Sequence, residues 1–165
     1  MKKILLLFVF SFALLSFCNS QETTTYYLIR HAEKNRTDKT NRNPDLNEDG
    51  KERAVKWAAY FNNIHLDAVY STNYNRTMQT AAPTAKSKDL NIKSYNPRNM
   101  FNAEFEKETK GKTVLVVGHS NTTPAFVNKI LGKKNYKDLD DNDNASLFVV
   151  TISGDKKTSK VKKVN

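Results

Sequence analysis

An α/β domain, with a mostly parallel central sheet and helices on both faces, is the fold class this sequence predicts. Three observations predict it. Strand-like and helix-like segments alternate along the chain. Residues 113–117, Thr-Val-Leu-Val-Val, form an almost continuous β-branched run, the pattern of a strand buried on both faces. Ala54, Val55, Ala58 and Phe61 recur at helical spacing, as in a helix that lays one face on a sheet. A length of 165 residues suits one domain, and there is no internal repeat.

The elements follow in order. Residues 23–30, rich in Thr, Tyr and Ile, read as the first strand. Residues 34–45 are polar and contain Asn43-Pro44-Asp45, a loop. Asn47 is the expected N-cap of the first helix, with Glu48 and Asp49 in its first turn. Gly50 in that turn is awkward for helix propensity. Residues 66–71 read as a short second strand, followed by a helix over 73–88 in which Pro83 predicts a kink or a break. Residues 90–95 are a weaker strand, and residues 100–110 a short helix or an irregular loop. The strand over 113–117 ends at Gly118-His119-Ser120, and Pro124 suits the first turn of a helix that runs to Leu131 and closes on Gly132. Residues 138–144 read as a solvated acidic loop without the ligand spacing of an EF-hand. A strand over 145–153 and an edge strand of Lys and Val through Val164 complete the chain, turning at Gly154-Asp155.

Residues 1–20 stand apart as a leader, leaving 21–165 as the folded domain. Lys2 and Lys3 precede an apolar run over 4–17, the pattern of a secretory signal. Two processing routes are open. Cys18-Asn19-Ser20 offers small residues for ordinary cleavage, and Leu15-Ser16-Phe17-Cys18 resembles a loose lipobox, which would remove 1–17 and tether the chain to a membrane through a lipidated Cys18. The expected location is therefore exported: periplasmic or associated with the outer membrane. Cys18 is the only cysteine, so the domain has neither a disulfide nor a Cys nucleophile. The formal charge is +10, concentrated in Lys-rich runs at 107–112, 133–137 and 156–163. These read first as solvated faces, and otherwise as attraction to anions. No helix concentrates the cations and no aromatic-basic ladder accompanies them, so a nucleic-acid partner is not expected.

In a parallel α/β sheet, sites form beyond the carboxyl ends of the strands. Three such ends carry reactive groups: Arg30-His31, Ser71 leading into Arg76, and Gly118-His119. Two guanidiniums and two imidazoles suit the handling of a phosphoryl group. Arginine holds phosphate through paired hydrogen bonds. Histidine is a nucleophile through one ring nitrogen when a hydrogen bond to the other fixes its tautomer. Neighbouring cations would repel a metal ion, and neither an HxxxH pair nor paired carboxylates appear, so neither metal nor cofactor is expected.

Four segments in register carry a family resemblance. Arg30-His31-Ala32-Glu33 resembles the Arg-His-Gly-Glu signature of the histidine phosphatase superfamily, the phosphoglycerate-mutase-like proteins. Leu46-Asn47-Glu48-Asp49-Gly50 resembles the family's Leu-Thr-x-x-Gly segment. Ser71 with Arg76-Thr77-Met78-Gln79-Thr80-Ala81 resembles its Ser-x-x-x-x-Arg-Thr-x-Gln-Thr-Ala block, and Val117-Gly118-His119-Ser120 the strand of its second histidine. Four sequons, at Asn35, Asn75, Asn121 and Asn144, favour a bacterial setting, because glycans on three of them would overlap this site. The resemblance implies a three-layer α/β sandwich. It also implies a phosphatase that hydrolyses phosphomonoesters or related small phosphorylated substrates. His31 would be the nucleophile, and Arg30, Arg76 and His119 would hold the phosphate oxygens. Ser120 and Asn121 sit at a strand-to-helix turn whose N–H groups could also face an anion. The general acid that the family commonly takes from the insert after its third strand has no secure counterpart, since that insert is short here. Glu104 is the first candidate, with Glu106, Glu108 and Glu33 as alternatives. The other readings are a phosphotransferase or mutase on the same histidine, and a binding module of weak or no catalysis. Composition leaves the oligomeric state open.

Overall fold

The computed structural model describes residues 22–164. The expected leader, with Cys18 and both processing routes, lies outside the described residues. Six strands and four helices follow in the order β1 (Thr23–Arg30), α1 (Glu48–Phe61), β2 (Ala68–Ser71), α2 (Asn75–Ser87), β3 (Ile92–Ser94), α3 (Ala103–Thr109), β4 (Thr113–Gly118), α4 (Thr122–Leu131), β5 (Ser146–Ser153) and β6 (Lys156–Lys163). They build one sheet in the order β3-β2-β4-β1-β5-β6. The first four strands in that order pair in parallel, while β5 and β6 add an antiparallel edge.

Strand periodicity divides the sheet into two faces. Tyr26, Leu28, Val114, Val116, Phe148 and Val150 pack with Phe105 of α3 and Phe126, Val127 and Ile130 of α4. Ile29, Val69, Leu115, Val117 and Leu147 point the other way, onto Trp57 and Phe61 of α1 and Ala81 and Ala85 of α2. The β4 run is buried from Val114 to Gly118, as its β-branched sequence predicts. The three-layer arrangement with helices on both faces is thus the observed one.

Two local expectations change, and a third is decided between its alternatives. Val55, counted with the apolar stripe of α1, is 60% exposed, and the buried face runs through Gly50, Ala54, Trp57 and Phe61. The helix α2 passes through Pro83 without a break. Thr80, Ala81, Thr84 and Ala85 are buried on both sides of the proline, so tertiary packing offsets the lost backbone bond. Residues 103–109 are helical, because Asn102 caps them by accepting from the Phe105 N–H at 2.8 Å.

Gly50 has a packing reason that helix propensity misses. Asn47 caps α1 by accepting from the Gly50 N–H at 2.9 Å, and the helix start presses against the chain just after His31. A Cβ at Gly50 would stand 2.0 Å from the Glu33 carbonyl oxygen. The clash is with backbone, so no side-chain rotation relieves it. Gly50→Ala should destabilise the fold by about 1–3 kcal/mol, seen as a lower thermal midpoint. An unchanged midpoint would mean that this close approach is not required.

Candidate active site

The parallel strands bring the predicted groups to one end of the sheet. Arg30 pairs with Gly118 across β1 and β4, and the His31 N–H donates to the Gly118 carbonyl at 2.9 Å. His31 is 4% exposed and Arg30 2%. The rings of His31 and His119 lie with centroids 5.5 Å apart. One cleft of about 540 Å³ is lined by Arg30, His31, Arg76 and His119, together with Ser120 and Asn121. A second cleft of about 490 Å³ adjoins it, sharing Arg30, His31, Lys34 and Asp141 and adding Asn35, Arg36 and Thr37.

Hydrogen bonds assign the ring nitrogens. His31 Nδ1 lies 2.7 Å from the Ala32 carbonyl, which can only accept. Nδ1 therefore carries the proton and the Nε2 lone pair is free. On His119, Nε2 lies 2.9 Å from Thr72 Oγ1, whose own hydrogen goes to Thr77 Oγ1 at 3.0 Å. His119 Nε2 thus donates to Thr72, and Nδ1 faces Arg76 Nη2 at 3.4 Å.

The electrostatics hold both rings neutral. Burial, then the charges of Arg30 and Arg76, bring the His31 pKa from 6.5 down to about 3, against the opposing pull of the Ala32 hydrogen bond. Burial, then Arg76, Arg30 and Lys34, bring His119 to about 4. A neutral His31 presents an unprotonated nucleophile at neutral pH. A dianion in the cleft would offset the neighbouring cations, so His119 Nδ1 could take up a proton and donate to it.

The two arginines are presented differently. The Arg30 Nη1 donates to the carbonyls of Asp140 and Asp141, both at 2.9 Å, and Nη2 donates to Asp141 Oδ1 at 2.9 Å. Its Nε is buried without a partner among the described residues. Arg76 lies over the Tyr74 ring at 4.6 Å, and its buried Nε and Nη1 are also without partners. Buried N–H donors rarely go unpaired, and guanidinium donors in a cleft are suited to an oxyanion.

Several groups of this site carry no local signature in the sequence. Residues 138–144 are the clearest case, because that acidic loop is not simply solvated. Its carbonyls and the Asp141 carboxylate fix Arg30, and Asn144 Nδ2 donates to the His31 carbonyl at 2.8 Å. Thr72 and Thr77 orient His119, and Thr80 Oγ1 accepts from the Ala32 N–H at 2.9 Å. These partners lie far from each other in sequence, and only the block around Arg76 hinted at any of them.

The acid candidates are not gathered at His31. Glu104 sits on α3 and lines a separate cavity with Tyr70, Tyr95 and Glu108, not either cleft that contains His31. Glu108 pairs with Lys93, and Glu106 lines a cavity with Glu22 and Tyr26. The short connection after β3 folds as α3 over the sheet, which carries these residues to the outer side of that helix. Glu33 does line the second cleft, but Arg53 Nε holds both its oxygens, at 2.7 and 2.9 Å. Asp141 is the other carboxylate in the clefts. Burial pushes its pKa up, but hydrogen bonds from Arg30 and Arg36 outweigh this and hold it below the usual carboxylate range. Among the described residues, no group of three or more His, Cys, Asp or Glu side chains could hold a metal ion.

Comparison with known proteins bears on the fold. Residues 26–96 match the model of the histidine phosphatase superfamily (branch 1). No curated protein sequence matches the chain. The fold is similar to that of a phosphoglycerate mutase from Bacillus anthracis, at TM-score 0.67 and 16% identity, covering 86% of this chain and 93% of that one. It is similar to a phosphoserine phosphatase variant from Entamoeba histolytica in complex with phosphoserine, at TM-score 0.66 and 13% identity, covering 86% and 97%. It is also similar to the protein histidine phosphatase SixA complexed with tungstate, at TM-score 0.66 and 13% identity, covering 84% and 96%.

Proposed function

We propose that this chain is a member of the histidine phosphatase superfamily, whose model matches residues 26–96, and a metal-independent phosphatase acting through a phosphohistidine on His31. One observation carries the reading. N–H donors of Arg30 and Arg76 that are buried and without partners among the described residues share a cleft with a neutral histidine whose Nε2 is free among those residues. In the first step, the Nε2 lone pair forms a bond to phosphorus while the bond from phosphorus to the leaving oxygen or nitrogen breaks. The two guanidiniums hold the equatorial oxygens through the change in charge. The leaving group takes a proton from solvent or from a carboxyl group. In the second step, water attacks the phosphohistidine, returning the bonding pair to Nε2 and releasing inorganic phosphate.

The carboxylates of the site bear on the substrate. Glu33 is clamped by Arg53, and Asp141 is held ionised by two arginines. Asp141 is therefore not poised to give up a proton in the free protein, and the Glu33 oxygens are already engaged by Arg53. Leaving groups that depart without strong acid assistance, such as phosphoramidates, acyl phosphates and aryl phosphates, are favoured over alkoxides.

The test is turnover of p-nitrophenyl phosphate by the domain in the presence of a metal chelator. The expected result is undiminished turnover, with labelled phosphate on the protein in a base-stable, acid-labile bond. Loss of activity on chelation would overturn metal independence. Phosphate binding without turnover would favour a binding module, and transfer to an added alcohol in place of water would favour a phosphotransferase.

A further inference from the structure

The edge strand β6 has a composition that the candidate active site does not account for. Five of its eight residues are lysines: Lys156, Lys157, Lys160, Lys162 and Lys163. All five are exposed, and so is Val161 between them, at 43%. Lys163 pairs with Asp143 and Lys157 lies over the Phe101 ring. Lys156, Lys160 and Lys162 make no ion pair among the described residues. They share one side of the strand, opposite Ser153, Val149 and Leu147 of β5. Exposed Lys133, Lys134 and Lys137 lie in the loop that reaches β6 through the Tyr136 to Ser159 hydroxyl contact of 2.8 Å. The edge therefore carries largely uncompensated positive charge on both of its faces, with Val161 on the face it shares with Lys157, Ser159 and Lys163.

Lysines on an edge strand also deter strand addition, but that purpose does not require so many on both faces of one strand. The course of the chain supplies a second observation. Thr23, where the described chain enters the sheet, is in register with Ser153, and Ser153 with Lys156. Two strand spacings, about 10 Å, separate the chain's arrival from the start of the basic strip. The sequence before it carries the apolar run over residues 4–17. His31 lies at the other end of β1, about 25 Å away at strand rise.

From these placements we infer that the β6 edge docks on an anionic phospholipid surface, laying the sheet edge against the membrane. The apolar leader, where it is retained or replaced by a lipid on Cys18, supplies the first anchor and the lysine strip the second, as stable attachment requires. Nothing exposed in the strip offers an aromatic platform for unpaired bases, so a nucleic acid is the poorer fit. Docking on this edge leaves the clefts at the end of the sheet open.

The segment from residue 22 onward contains all the strands and helices of the described residues and both sides of the core, so it is used without the leader. It is sedimented with vesicles of phosphatidylcholine alone and with vesicles containing phosphatidylglycerol. Binding to the anionic vesicles should exceed binding to the neutral ones by at least about tenfold and should fall with salt. Each lysine near an anionic surface contributes roughly fivefold, so replacing Lys156, Lys160 and Lys162 by Gln should lower partitioning on the order of 100-fold. Lys160→Gln alone should lower it roughly fivefold, which keeps the test usable if the triple variant aggregates. Replacement of exposed Lys39, Lys86 and Lys107, elsewhere on the surface, should change it little. Unchanged p-nitrophenyl phosphate turnover in each variant shows that the fold is intact. Equal binding to neutral vesicles, an equal loss from the control variant, or binding to an oligonucleotide with no binding to vesicles would each overturn the inference.

Discussion

Replacing His31 by Ala should lower p-nitrophenyl phosphate turnover by at least about 10⁴-fold, the scale on which loss of a covalent nucleophile is felt. His119 cannot take over, because its Nε2 is bonded to Thr72 and its Nδ1 faces Arg76. Phosphate binding should survive, since the donors of Arg30 and Arg76 do not depend on the imidazole. Competition by inorganic phosphate or vanadate should therefore change far less than turnover, and no labelled phosphoprotein should form. Equal turnover by the variant and the wild type would remove His31 from the mechanism. A parallel collapse of anion binding and thermal stability would mean that the substitution had unfolded the site.

Arg76→Met should reduce kcat/KM by about 10²–10³-fold, the cost of losing a donor aimed at developing charge. Its Nε and Nη1 are buried and partnerless, and the Tyr74 ring below the guanidinium fixes its plane. Methionine keeps most of the stem and removes every donor. Arg76→Lys should recover little, because a point charge does not reproduce two N–H groups in a fixed fork. Inorganic phosphate should bind more weakly in both variants. The pKa of His31 should rise as well, because Arg76 is among the charges that lower it. Full activity in Arg76→Lys would show that the site needs only positive charge at this position.

The legible part of the candidate site was the placement of Arg30, His31, Arg76 and His119. Arg30, His31 and His119 follow apolar strands, and Arg76 opens a helix behind a strand, so each could be placed at a strand's carboxyl end from local pattern. The fold class was legible for the same reason, since strand and helix periods are carried by neighbouring residues. The identity of a proton donor was not legible. Glu104, Glu106 and Glu108 lay in the right stretch of chain, but the packing of Phe105 into the core turns that helix's acidic residues away from His31.

The order of the elements, the two-faced strands and the positions of Arg30, His31, Arg76 and His119 were determined by the sequence alone, because each depends on short-range periodicity. The tertiary structure alone decided what those groups touch. It seated the loop at 138–144 on Arg30, set Asn144 on the His31 carbonyl and Thr72 on His119, and brought Gly50 against Glu33. Arg30 and Asp141 are 111 residues apart, and their contact exists only because β5 returns antiparallel beside β1. No local pattern encodes such a meeting. It follows from how the strands cross and from which carbonyls are left facing a buried cation.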